Sequence, residues 1–120
     1  MSRLQLPLRV TGVYLFLIGI ITLFPRLTMT VFRVAEVADP PLLFLYAGVG
    51  LGLGYLIWRI GSDPKFSELA SAVVVLLVLH VISFVVANIR GQWGLQTVLM
   101  PIVANGVLAI WVWSARRAVA

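Results

Sequence analysis

The chain contains no cysteine, one histidine and only four acidic residues. Without cysteine there is no disulfide framework, no thiolate metal site and no thiol redox chemistry. The carboxylates are Glu36, Asp39, Asp63 and Glu68, and all lie at connections or at the ends of apolar runs. None lies inside a run. That excludes the membrane-embedded carboxylate with which small antiporters trade protons for cations. No cluster of His, Asp or Glu has metal-ligand spacing, and no serine has a base and an acid in a layout that would activate it. These absences argue against an independent enzyme.

Charge is scarce too: 11% of residues are charged and 62% are hydrophobic. A soluble domain is roughly 45–50% apolar and about 25% charged. A soluble fold of this size would expose apolar surface that it could not cover, whereas a lipid-embedded one has no such difficulty. The formal charge of +5 comes from Arg3, Arg9, Arg26, Arg33, Arg59, Lys65, Arg90, Arg116 and Arg117. These residues occupy the gaps and flanks of the apolar runs and form no patch. They read as helix-end anchors among anionic head groups, not as a nucleic-acid surface.

Four apolar runs are present: Val10 to Phe24, Pro41 to Trp58, Leu69 to Ala87 and Leu95 to Ser114. They hold about 15, 18, 19 and 20 residues, against the roughly 20 needed to cross a bilayer. The first can recruit Leu4 to Leu8, with Arg9 snorkelling to the surface. Each span must be helical, because lipid offers no partner for backbone polar groups. The runs are continuously apolar and do not alternate, which excludes a barrel. No small-x-small cleavage site follows the first run, so it reads as an uncleaved helix. The expectation is one integral membrane domain over residues 1–120, an all-α bundle of four transmembrane helices with spans at about 8–24, 41–59, 68–88 and 95–114.

The flanking charges predict an orientation. Arg3, Arg9, Arg59, Lys65, Arg116 and Arg117 fall on one side and Arg26, Arg33 and Arg90 on the other. That excess places both termini in the cytoplasm, and a bacterial inner membrane is the expected location. The connection from Pro25 to Pro40 carries Leu27, Val31, Val34, Ala35 and Ala38 at helical spacing, with Arg33 and Glu36 off that face. It predicts a short amphipathic interfacial helix between helices 1 and 2, with a lid or docking surface as the functional alternative. In the tight turn Gly61 to Lys65, Ser67 is the expected N-cap of the third helix, with Glu68 at its dipole end. Trp93 is expected at the outer interface, and Trp58, Trp111 and Trp113 at the inner one.

Two features are candidates for function. The segment Gly48-Val-Gly50-Leu-Gly52-Leu-Gly54 interleaves two G-x-x-x-G pairs on roughly opposite sides of a helix. Both faces are flat, which predicts a second span that is central in the bundle or sandwiched against a partner. His80 lies near the middle of the third span and Asn105 near the middle of the fourth. An unpaired amide at that depth would cost a few kcal/mol, so the two are expected to face each other or to share a water. Three readings of His80 stay open: a hydrogen-bonded bundle residue, an axial ligand to a tetrapyrrole such as haem, or a proton-transfer or quinone contact. With Ser83 and Thr97, His80 and Asn105 could line a small polar pocket opening outward. Pro101 removes one backbone donor from the fourth helix and predicts a kink there.

The stretch Gly12-Val-Tyr-Leu-Phe-Leu-Ile-Gly19 leading into Phe24-Pro25-Arg26-Leu27 is followed by Tyr46-Ala-Gly48 to Gly52 and Tyr55. The Asp63-Pro64 turn and a Trp-rich fourth helix carrying Asn105 come next. This layout resembles the DoxX-like four-helix membrane proteins of bacteria. The resemblance implies a four-helix bundle, and some members look like subunits of quinone-linked oxidoreductases. It carries over no catalytic residue. The function expected is that of a non-catalytic membrane subunit or assembly factor of a larger complex, with a bioenergetic complex among the candidates. Its expected partners are membrane lipids and other integral membrane subunits or copies of itself. Two alternatives stand: a module holding a quinone, lipid, pigment or haem near His80 and Asn105, or a small oligomeric transporter.

Overall fold

A computed structural model of the protein describes residues 3–119, and no strand occurs among them. The helices are α1 (Gln5–Thr22), α2 (Pro25–Phe32), α3 (Pro40–Ser62), α4 (Ala70–Ile89) and α5 (Leu95–Val119), with a 3-10 turn over Pro64–Leu69 leading into α4. α1, α3, α4 with its 3-10 lead-in, and α5 are each long and apolar enough to cross a membrane. The bundle is 44 Å along its longest axis, ample for a hydrocarbon core of about 30 Å.

The helices pair as α1 with α3 and α4 with α5, and α1 joins the two pairs through α5. The first pair is a small-residue seam. Gly12 and Gly19 stand seven residues apart on α1, and Ala47, Gly54 and Gly61 repeat at the same interval on α3. A seven-residue period keeps one face toward an antiparallel neighbour. A Cβ on Gly12 would lie 2.7 Å from the Trp58 amide nitrogen, and one on Gly19 would lie 2.7 Å from that of Leu51. Only hydrogen fits at these points, so the backbones approach closely and gain dispersion contacts that lipid cannot match. Thr11 and Thr22 of α1 are buried and donate to the carbonyls of Pro7 and Ile18 at 2.8 and 2.9 Å. Each hydroxyl is thereby satisfied within its own helix.

Three expectations are corrected. Of the two places expected for α3, the central one goes to α1 instead: 44% of the α1 span is buried against 17% of the α3 span. Only one of α3's two glycine faces is used, since Gly50 and Gly54 meet α1 while Gly48 and Gly52 have open space. The short helix expected between the first two spans is present as α2, but it is about half as long as the pattern implied. It stops at Phe32 because Arg33 turns into the left-handed region (φ 54°, ψ 46°), and the Val34 N–H donates back to the Met29 carbonyl at 3.2 Å. That closure resembles a glycine-type helix stop. Val34, Ala35 and Ala38 therefore lie on a connection rather than on a helix face, and the buried residue of α2 is Thr28. Lastly, Ser67 caps nothing. Asp63 accepts from the Lys65 N–H at 3.1 Å and so caps the 3-10 turn, while α4 begins after Leu69 with no side-chain cap.

Candidate functional site

Near mid-bundle, where α1, α4 and α5 converge and α3 adds one ring, four polar side chains line one cavity: Tyr14, Tyr46, His80 and Asn105. Phe32, Phe84 and Pro101 complete its wall, with Leu15 and Ile18 below. Its volume is about 10 Å³, close to the smallest space that admits one water. Trp93 stacks on the outer side of Phe84 with ring centroids 5.7 Å apart, and the Trp93 carbonyl accepts from Asn88 Nδ2 at 3.0 Å. Each helix contributes for a local reason. Asn105 follows Pro101 by four residues on α5, so its side chain hangs over the Pro101 carbonyl. His80 stands in the same relation to the Leu76 carbonyl on α4.

Those carbonyls fix what each side chain can offer. A carbonyl only accepts. Asn105 therefore turns Nδ2 toward the Pro101 oxygen at 2.7 Å, and Nδ2 also reaches Tyr14 Oη at 3.5 Å. Its Oδ1 is left buried with no partner. His80 Nδ1 lies 2.8 Å from the Leu76 oxygen, so in the neutral imidazole Nδ1 carries the proton and Nε2 keeps a lone pair. Among the lining side chains Asn105 Oδ1 and His80 Nε2 are thus acceptors, while the Tyr14 and Tyr46 hydroxyls can donate. The Tyr14 hydroxyl faces Met100 Sδ at 3.9 Å, a weak acceptor.

His80 and Asn105 line the same cavity, as expected, but no hydrogen bond joins them. The pocket's other expected members are elsewhere. Ser83 is exposed and donates to the Leu79 carbonyl at 2.8 Å, and Thr97 donates to the Arg33 carbonyl at 3.4 Å, tying the connection after α2 to α5. Tyr14 and Tyr46 take their places. Their signal in the sequence was present but weak, a single tyrosine in the middle of α1 and another in the N-terminal half of α3. Among the described residues no three His, Cys, Asp or Glu side chains converge to hold a metal ion. Comparisons with known proteins add no identity: no family model matches the chain, and neither a curated protein nor a solved structure does.

Proposed function

We propose that the protein is a non-catalytic membrane subunit or accessory factor that docks into a larger membrane complex through the outward face of α3. The observation that carries this reading is the state of the α3 glycines. Gly50 and Gly54 are consumed by α1, whereas Gly48 and Gly52 face open space on the other side of the same helix. A glycine in a helix costs about 1 kcal/mol relative to alanine, and lipid returns nothing for it. A neighbouring transmembrane helix does, by approaching the flattened backbone. The neighbour would be another integral membrane subunit or a second copy of the chain. The setting proposed is a bacterial inner membrane with both termini cytoplasmic, since Arg3, Arg59, Lys65, Arg116 and Arg117 share one end of the bundle. The resemblance to DoxX-like proteins agrees with an accessory role, and a bioenergetic complex is one candidate.

Native electrophoresis of mildly solubilised membranes, with mass spectrometry of the band, tests this. The chain is expected in a large band with defined partners. Gly48→Leu and Gly52→Leu should release it from that band with its thermal stability intact. Migration of the unaltered chain alone would remove the subunit reading.

A second reading rests on the unpartnered Asn105 Oδ1. An acceptor buried in lipid without a donor is unfavourable by about 1–3 kcal/mol, and an occupied site would relieve it. The occupant that relieves Asn105 Oδ1 brings an O–H or N–H. An oxidised quinone, itself an acceptor, would have to turn to the Tyr14 and Tyr46 hydroxyls. A tetrapyrrole does not fit inside the cavity and would have to stack outside it against His80. An absorption spectrum of the purified protein separates these cases, because a flat visible trace eliminates haem and other pigments.

A further inference from the structure

Another concavity lies on the outside of the bundle, on a different face of α1 from the polar cavity. It is a groove of about 280 Å³ between α1 and α3 with an entirely apolar lining. Gly12 and Gly54 form its floor, and Val13, Phe16, Tyr55 and Trp58 form its walls. The groove exists because the glycine seam draws the two backbones together while the large side chains on either side splay apart. At its upper end sits Arg9, one turn before Gly12 and Val13.

Arg9 is an unusual cation. Its guanidinium lies over the Trp58 ring, 5.1 Å from the centroid. Its stem packs against α3 at Gly61, where a Cβ would meet Arg9 Cγ at 3.1 Å. Its Nε is buried with no hydrogen-bond partner. Among the described residues the ion pair present joins Lys65 to Asp63. Asp63, at the same end as Arg9, is paired with Lys65, Glu36 and Asp39 lie at the opposite end of α3, and no ion pair joins Arg9 to a carboxylate among the described residues. A planar fork held in place by an aromatic face is matched by an oxyanion such as phosphate, which it can bind through two parallel hydrogen bonds.

We infer that the α1/α3 pair holds one anionic phospholipid, its phosphate on Arg9 and one acyl chain along the groove floored by Gly12 and Gly54. The polar and apolar halves of the site are in register. The guanidinium stands at the interfacial end of α1, and the groove runs from it toward the membrane centre. Basic pockets between transmembrane helices recognise anionic head groups in this way. The groove supplies what a loose surface cation lacks, a fixed seat for the chain attached to that head group.

The test is native mass spectrometry of the full chain released from nanodiscs of dioleoylphosphatidylcholine doped with dioleoylphosphatidylglycerol. One phosphatidylglycerol should be retained in preference to phosphatidylcholine. Arg9→Gln should reduce that preference about fivefold. Arg59→Gln, which removes an exposed cation from the same end, should leave it nearly unchanged. Val13→Trp, at an exposed rim position, should fill the groove and expel the retained lipid while Arg9 stays in place. Equal retention of the two lipids, or equal effects of the Arg9 and Arg59 changes, would reduce the site to diffuse charge attraction and overturn the inference. So would full retention in Val13→Trp. Loss of a co-purifying protein from Val13→Trp with lipid unchanged would mean that the groove seats a helix instead. None of these readouts depends on the α3 face that carries Gly48 and Gly52.

Discussion

Gly54 lies so close under α1 that a Cβ added to it would stand 2.5 Å from the Phe16 amide nitrogen and 2.7 Å from the Gly12 carbonyl oxygen. These contacts are backbone atoms and cannot swing aside. Gly48, six residues earlier on the same helix, has nothing within 4 Å. The two glycines look equivalent in the sequence but should respond to substitution in opposite ways. Gly54→Ala should cost about 1–3 kcal/mol through forced separation of α1 and α3. Gly48→Ala should be neutral, or stabilising by up to about 1 kcal/mol through helix propensity. Thermal unfolding in detergent reads both. Equal losses would mean that α3 does not pack on α1 through the Gly54 face.

That contrast also shows how far the sequence could be read. Four spans were legible because lipid requires long apolar helices, and length with composition is enough to find them. The role of each glycine was not legible. Gly48/Gly52 and Gly50/Gly54 have the same spacing, and the difference between them is made by Gly12 and Gly19 on another helix. A search for small residues seven apart would have found those two. The end of α2 was hidden for another reason. The apolar pattern continues to Ala38, and nothing in it marks Arg33 as a left-handed residue where glycine or asparagine is usual. At the polar centre, the mid-span depth of His80 and Asn105 was readable. Tyr14 and Tyr46 were not, because tyrosine in a span is commonplace.

Asn105 offers a test of whether the amide serves stability or a ligand. Replacing it with leucine removes the bonds to Pro101 and Tyr14, but it also removes the unpartnered Oδ1. Those effects oppose each other at about 1 kcal/mol each. Asn105→Leu is therefore expected to leave stability within about 1 kcal/mol of the parent, measured by denaturant or thermal unfolding. A loss of several kcal/mol would assign the amide a structural role and weaken the ligand-binding reading.

Because the chain has a single histidine, selective labelling of histidine ring nitrogens yields the spectrum of one side chain. The Leu76 carbonyl at 2.8 Å from Nδ1 requires the Nδ1–H tautomer. Nitrogen NMR of the neutral imidazole is expected to show a protonated Nδ1 and an unprotonated Nε2. The reverse tautomer would mean that Nδ1 makes no bond to the Leu76 carbonyl and that Nε2 is a donor, which overturns its assignment as an acceptor.

The turn before α4 gives a prediction that the sequence and the structure answer differently. From the sequence, Ser67→Ala should be the harmful change. In the fold, Asp63 holds the Lys65 N–H at 3.1 Å, and Ser67 is exposed within the 3-10 turn. Loss of a helix cap costs about 1 kcal/mol, and a neutral surface change costs within about 0.5 kcal/mol. Asp63→Ala should therefore lower the unfolding midpoint clearly and Ser67→Ala should not.

Orientation can be settled with the same absence that opened the sequence reading. A chain without cysteine accepts single reporter thiols at chosen sites. Gln92 is exposed in the connection between α4 and α5, and Ser67 is exposed in the turn before α4. The two positions lie at opposite ends of α4, so a membrane-impermeant maleimide added to intact cells can reach only one of them. With six basic residues against three, the proposed orientation has Ser67 inside, so Gln92→Cys should be labelled and Ser67→Cys should react only after lysis. Labelling of Ser67→Cys alone would invert the bundle and put Arg9 and its groove in the outer leaflet. Arg9 would keep its contact with Trp58 in either case. An inverted bundle would then meet whatever anionic lipid that leaflet supplies, so the orientation decides which lipids the groove can sample.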